Sequence, residues 1–403
     1  MQPLKRSFVD LKSEIYNFYC SKKFPDFSFL LELLDRALSL LECEDVRYRP
    51  KEKEGEKLSG GLLDFCRDRS FSGEVKPVIV VPDLHARGYF LWNVLNFEIE
   101  LEIQDEAEKN VGKSAGKSAG KNVGKSVGEK NAAGGKTFGC KKNLKKMTVL
   151  DACMENRIRL VCVGDIFHSE LRCHERWKKS FEQYRCGIIQ SEAMKQEMLE
   201  NLNLLQMVLA LKLACPESFH CLKGNHENLL NEEGRGNHPF CKMAAEGEMF
   251  YSFMADRYDD AIIYLFSCLE HSLPLCAVFP NLVVSHAEPA FALTKSKIIN
   301  YRKFPEVTLA LTWTANGEAK EGSVPETMKN LLGKGAEDAV WIGGHRPVKG
   351  RYELRQDGRY VQIHNPSSQQ VALVWPGKRF DPETDIVNVA ESEGEGENPE
   401  GVA

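Results

Sequence analysis

Five short apolar runs in this chain each lead into Asp, Asn or His, and that repetition constrains the fold more than any other feature. Val78-Ile79-Val80-Val81 runs into Pro82-Asp83-Leu84-His85, and Leu160-Val161-Cys162-Val163 into Gly164-Asp165-Ile166-Phe167-His168. Phe219 to Leu222 leads through Lys223 into Gly224-Asn225-His226-Glu227. Leu282-Val283-Val284 precedes Ser285-His286, and Ala339-Val340-Trp341-Ile342 precedes Gly343-Gly344-His345. Between about residues 76 and 376 such runs alternate with longer helical patterns, which predicts α/β layering.

In open α/β sheets ligands bind beyond the carboxyl ends of strands, so five such ends would deliver carboxylate, imidazole and amide groups to one place. The chain has ten His, and His85, His226, His286 and His345 stand at or within three residues of these ends. Gly in three of the turns lets backbone crowd the same space. The predicted result is a metal site. Asp oxygen, Asn carbonyl and imidazole nitrogen, with no thiolate, suit Mn, Fe or Zn rather than a Cys-based structural zinc. A carboxylate bridging two cations offsets their repulsion and lets a bridging water ionise near neutral pH, the nucleophile a phosphate ester needs.

The flanks are of a different character. Residues 1–50 read as a helical segment, in which Phe27, Leu30, Leu31, Leu34, Ala37, Leu38 and Leu41 form an amphipathic stripe that packs on the main domain or serves a partner. Residues 51–75 read as a charged linker. Residues 109–136 repeat Gly-Lys-Ser-Ala steps with almost no apolar bulk, which predicts a disordered insertion. These steps are not a phosphate loop, because Gly120 and Gly124 enclose only three residues where that loop needs four. Residues 388–403 read as an acidic disordered tail.

Eleven Lys and one Glu lie within 109–146, so the net charge of −5 leaves the body without a basic nucleic-acid surface. Thirteen Cys without a CxxC pair fit a reducing compartment. No stretch reaches the roughly 20 apolar residues that span a bilayer. The opening residues carry Asp10, Lys12 and Glu14 instead of an apolar leader, so the expected setting is the cytoplasm, away from membranes.

Taken together, these motifs resemble the calcineurin-like metallophosphoesterases, in particular the phosphoprotein phosphatase branch. The resemblance covers about residues 77–375 and is strongest over Pro216 to Glu227, with its Gly-Asn-His-Glu core. Leu273-Pro274-Leu275 with Val283 to Ala287, and Gly344-His345 with Tyr352-Glu353, are similar to the family's later segments. What it implies is a four-layer α/β sandwich, two mixed sheets flanked by helices. It also implies two metal ions: Asp83 and His85 on the first, Asp165 bridging, and Asn225, His286 and His345 on the second. His226 would be the general acid.

Several positions depart from the family. Pro82 replaces a Gly, and His168-Ser169-Glu170 stands where the branch carries Asp-Arg-Gly. The Asp would have oriented His226, a role open to His168, and the Arg would have clamped phosphate. No Arg occurs between Arg302 and Arg346, which leaves Arg87, Arg346, Lys223 and Lys349 as candidate phosphate ligands. The partly basic segment holding Arg172, Arg176, Lys178, Lys179 and Arg185 either caps the site or is a solvated helix. The function implied is hydrolysis of phosphate monoesters on a protein or small molecule. The alternatives are a hydrolase of nucleotides such as dinucleoside polyphosphates and an inactive scaffold of the same fold.

Overall fold

The computed structural model describes residues 8–52, 58–66, 75–103 and 143–390. All five apolar runs become strands. In chain order the strands are β1 (Leu62–Asp64), β2 (Val78–Val81), β3 (Glu98–Ile103), β4 (Asn143–Thr148), β5 (Arg159–Cys162) and β6 (Phe219–Cys221). They continue with β7 (Cys276–Phe279), β8 (Leu282–Ser285), β9 (Val340–Gly343), β10 (Glu353–Arg355), β11 (Tyr360–Gln362), β12 (Gln370–Val374) and β13 (Ile386–Asn388).

Two mixed sheets result. One has the order β13-β12-β2-β5-β6 and the other β1-β7-β8-β9-β11-β10. Strands β2, β5 and β6 run parallel, with Val81 opposite Cys162 and Cys162 opposite Cys221, so the loops that follow them leave one edge side by side. Strands β8 and β9 are parallel in the second sheet. β3 and β4 form a separate antiparallel pair.

The two-residue period of a strand explains the layering. Val78 and Val80 of β2 and Val161 of β5 join Ala277, Phe279, Leu282, Val284, Ile342 and Val361 of the other sheet in one apolar layer. The alternate residues Ile79, Val81, Leu160 and Cys162 pack outward against helices, notably Phe27–Glu42, Glu192–Ala214 and Asp260–Ser272. On the other side Val278, Val283 and Trp341 meet residues of the helices Pro305–Thr312 and Ser323–Leu332. The central strands therefore feed two cores at once, which is why their runs are apolar throughout and not alternating. The architecture is helices, sheet, sheet, helices, as the sequence implies.

The N-terminal stripe is covered by the molecule itself. Asp26 caps the helix Phe27–Glu42 by accepting from the Phe29 N–H, and Leu30, Leu33, Leu34, Ala37, Leu38 and Leu41 are buried. Leu33 is buried though absent from the predicted stripe, and Phe27 is 39% exposed. The linker reading of 51–75 needs correction, because Leu62–Asp64 pairs with Cys276–Val278 as an edge strand. The insertion 109–136 lies outside the described residues, as does the tail beyond Ala390. No helix among the described residues is long and apolar enough to cross a membrane.

A buried ion cluster ties the N-terminal segment to the body. The Glu44 carboxylate meets Arg49 and, from the helix Glu192–Ala214, Lys212. Burial pushes the Glu44 pKa up, but Lys212 and Arg49 more than offset this and hold it at about 2. Its folded value is depressed, so its stabilisation is present above the unfolded value of 4.5 and is lost as pH falls through about 2. Glu44→Gln leaves two buried cations short of an anion and is expected to cost about 3–5 kcal/mol at neutral pH. In urea melts the gap between variant and parent should narrow as pH drops from 4.5 towards 2; a gap independent of pH would contradict this assignment.

Candidate metal centre

Asp83 and Asp165 follow adjacent parallel strands and are held alike. Asp83 Oδ1 accepts from the His345 N–H at 2.9 Å, and Asp165 Oδ1 from the His226 N–H at 3.0 Å. In both, Oδ2 is buried without a hydrogen-bond partner among the described residues. Glycine permits this close approach: a Cβ on Gly344 would stand 1.9 Å from Asp83 Oδ2, and one on Gly224 2.1 Å from Asp165 Oδ1. Glu227 locks two of the loops together, accepting from the N–H groups of Asp165 (3.0 Å), Ile166 (2.7 Å) and Gly224 (2.6 Å).

The imidazoles and the amide complete two groups around these oxygens. His85 presents Nδ1 to the His168 carbonyl at 3.1 Å, which leaves Nε2 unpartnered and 3.6 Å from Asp165 Oδ2. His286 likewise gives Nδ1 to the Val163 carbonyl at 3.2 Å. Its Nε2 lies 3.0 Å from Asn225 Oδ1, 3.2 Å from His345 Nδ1 and 3.4 Å from Asp165 Oδ2. Fixing one ring nitrogen on a carbonyl and freeing the other is how a ligating imidazole is oriented. His85, Asp165, His168 and His345 all have φ between 44° and 67°. That left-handed backbone costs any residue with a Cβ, and such strain concentrates at functional sites.

The electrostatics fit cations. Burial lowers the pKa of His85, of His345 and of His286, the last to about 4, so these rings keep a neutral lone pair at physiological pH. Burial, then Glu227 and Asp83, push the Asp165 carboxyl well above the usual range. A buried carboxylate so placed is short of positive charge, and its unpartnered Oδ2 faces neutral nitrogens. Three buried clusters have ligand atoms close enough to hold a metal ion: Asp83 with His85 and His364, His85 with Glu170 and His226, and Asp83 with Asp165 and His286. The donors are oxygen and nitrogen, without thiolate.

His226 and His168 form a pair beside this space. Their Nδ1 atoms lie 2.8 Å apart, so one ring donates and the other accepts. His226 Nε2 is 3.7 Å from Asp165 Oδ2. Burial depresses both pKa values, that of His168 to about 3. The ring of Phe240 covers the pair, stacked on His168 at 5.0 Å and 3.8 Å from the His226 centroid.

The expected phosphate ligands fare unequally. Arg87 is buried, and its donors go to the carbonyls of Asp83, Leu84, Pro366 and Ser368. It anchors the Asp83 loop and has no free fork for an anion. Lys223 is buried as well, with Nζ on the Glu227 carbonyl. Arg346 is half-buried beside His345, and its guanidinium has no hydrogen-bond or ion-pair partner among the described residues. The basic segment does not supply a cation through Arg172 or Arg176, which pair with Glu197 and Glu200.

Four residues join the site without having been read from the sequence. Asn201 and Glu197, on the helix Glu192–Ala214, accept from the backbone N–H groups of His168 and Ser169 at 2.7 and 2.9 Å. No local pattern marks them, because their role arises only once that helix packs against the loop. Glu170 and His364 are buried against His85 and Asp83. His364 carried only a weak signal: Val361 and Ile363 lead to His364, but Gln362 breaks the run.

No family model and no curated protein matches this sequence. Among solved structures, the chain is similar to a protein serine/threonine phosphatase from Saccharomyces cerevisiae described as having similarity to human phosphatase PP5, at TM-score 0.49 and 14% identity over 95% of each chain. It is also similar to a cold-active protein-tyrosine phosphatase of a psychrophilic Shewanella species, at TM-score 0.36 and 11% identity over 74% of this chain and 75% of that one.

Proposed function

We propose that the chain is a metal-dependent phosphoesterase acting on phosphate monoesters. One observation carries this reading: two buried carboxylates, each with one oxygen anchored by a backbone N–H and the other unpartnered, face neutral imidazoles and an amide oxygen. The resemblance of Gly224-Asn225-His226-Glu227 and its partner motifs to metallophosphoesterases agrees with it. Bound cations at such a site polarise a phosphoryl oxygen and lower the pKa of water.

The chain's own groups supply the remainder. Asp83, His85 and Asp165 would hold one cation, and Asp165, Asn225, His286 and His345 a second. With His168 Nδ1–H donating to His226 Nδ1, His226 carries its proton on Nε2, the atom turned towards the site, where it can meet the leaving oxygen. Phe240 packs over the pair. Arg346 offers its guanidinium to the phosphate, so Arg346→Ala is expected to raise KM about 10-fold with a smaller change in kcat. An unchanged KM would remove Arg346 from the site.

The test of the function is turnover of p-nitrophenyl phosphate and of a panel of phosphopeptides, sugar phosphates and dinucleoside polyphosphates by one Mn²⁺-loaded preparation. Hydrolysis that stops on chelation and returns with Mn²⁺ supports the reading. Metal uptake without turnover of any member favours the inactive scaffold.

A further inference from the structure

Glu170 occupies a backbone position that favours glycine, with φ of 52°. The chain nevertheless places a long acidic side chain there and folds it inward to 6% exposure. One carboxylate oxygen, Oε1, takes Lys242 Nζ at 2.7 Å from the outer side. The other, Oε2, lies 3.4 Å from His85 Nε2 and 3.5 Å from His364 Nε2. His364 is fully buried, and neither of its ring nitrogens has a hydrogen-bond partner among the described residues. Its Nδ1 is 3.4 Å from Asp83 Oδ2. A buried imidazole with both nitrogens unpartnered is costly unless something else engages it.

These contacts form a chain around Asp83 and His85. His364 Nδ1 lies 3.4 Å from Asp83 Oδ2, and the other nitrogen of the same ring, Nε2, 3.5 Å from Glu170 Oε2. Glu170 Oε2 is 3.4 Å from His85 Nε2, which is 3.6 Å from Asp165 Oδ2. Donors about 2.1 Å from one ion stand roughly 3–3.5 Å apart, so neighbouring members of the chain have the spacing of a coordination shell. Asp83, His85 and His364 form one cluster with ligand atoms close enough to hold an ion, as do His85 and Glu170 with His226. We propose that Glu170 and His364 are additional protein ligands of the cation held by Asp83, His85 and Asp165. This inference rests on the metal-centre reading above. It makes the two subsites unequal. The first is closed by five protein groups and binds its cation tightly. The second, with Asp165, Asn225, His286 and His345, keeps room for substrate and exchanges its cation more readily. The Lys242 contact holds Glu170 in place from outside, and the anionic oxygen compensates charge where the family pattern has only a glycine.

The experiment is calorimetric titration of the metal-free full chain with Mn²⁺. The parent should take up two cations with separable affinities. Glu170→Gln and His364→Ala should each weaken the tighter site by at least about 10–100-fold, the loss that even an outer-shell partner produces, and leave the weaker site alone. Glu170→Gly guards against a folding artefact. It relieves the left-handed backbone, so in EDTA its thermal midpoint should be no lower than the parent's although the tight site is weakened equally. Two cations bound by parent and variants with equal affinities would overturn this inference and leave the metal centre standing. A Glu170→Gly midpoint that falls while tight binding persists would also overturn it, making Glu170 a structural partner of Lys242. A parent that takes up no Mn²⁺ would overturn both.

Discussion

Replacing Asp165 with Asn is expected to abolish uptake of both cations and to lower phosphomonoester turnover by more than about 10³-fold, beyond the loss from a single oxyanion-hole donor. Asp165 Oδ2 is the atom common to both proposed ligand groups, 3.6 Å from His85 Nε2 and 3.4 Å from His286 Nε2. An amide can keep the geometry, accepting from the His226 N–H as Oδ1 does now, but it offers no charge to hold two cations together. The metal-free protein should respond in the opposite sense. The folded carboxyl pKa is raised above its ordinary 3.8. The neutral form is therefore favoured, and stability is lost as pH rises beyond that value towards the folded pKa. Asn avoids the penalty, so the EDTA-treated variant should melt at or above the parent's midpoint at neutral pH. Elemental analysis and thermal melts of the same preparations check both halves. Normal metal content in the variant would contradict the bridging role.

The second large effect concerns the leaving group. His226→Gln removes the proton held at Nε2 and should slow alkyl phosphates by about 10²–10⁴-fold, the usual worth of a positioned general acid. Nitrophenyl phosphate should change far less, because nitrophenolate departs without being protonated. His168→Asp acts on the same pair from behind. A carboxylate beside the imidazole favours its protonated form, which the present neutral pair does not. That variant should speed alkyl phosphates relative to nitrophenyl phosphate. Paired rate measurements on the two esters decide the matter: equal effects would reduce His226 and His168 to packing residues under Phe240.

Much of this site was legible because the strands are buried on both faces. An unbroken apolar run such as Leu160 to Val163, with Gly164-Asp165 at its end, reads as a short central strand, and five such ends point to a common site. The phosphate ligands were not legible. Arg87 and Lys223 sit in the expected loops, yet whether a cation faces solvent or its own backbone depends on carbonyls from distant turns, here Pro366 and Ser368 for Arg87. The edge strand Leu62–Asp64 was missed for a similar reason: three residues have too short a period to read, and only the partner Cys276–Val278 makes them a strand. His364 escaped because Gln362 interrupts its apolar run. Glu170 escaped because its side chain turns inward only in the fold.

The most direct test of the proposed dinuclear centre is the electron paramagnetic resonance spectrum of the protein loaded with two equivalents of Mn²⁺. Two cations sharing Asp165 would lie about 3.5–4 Å apart, and such a pair gives an exchange-coupled spectrum that Asp165→Asn should eliminate. Six-line signals of isolated Mn²⁺ alone, at two bound equivalents, would contradict the centre described here.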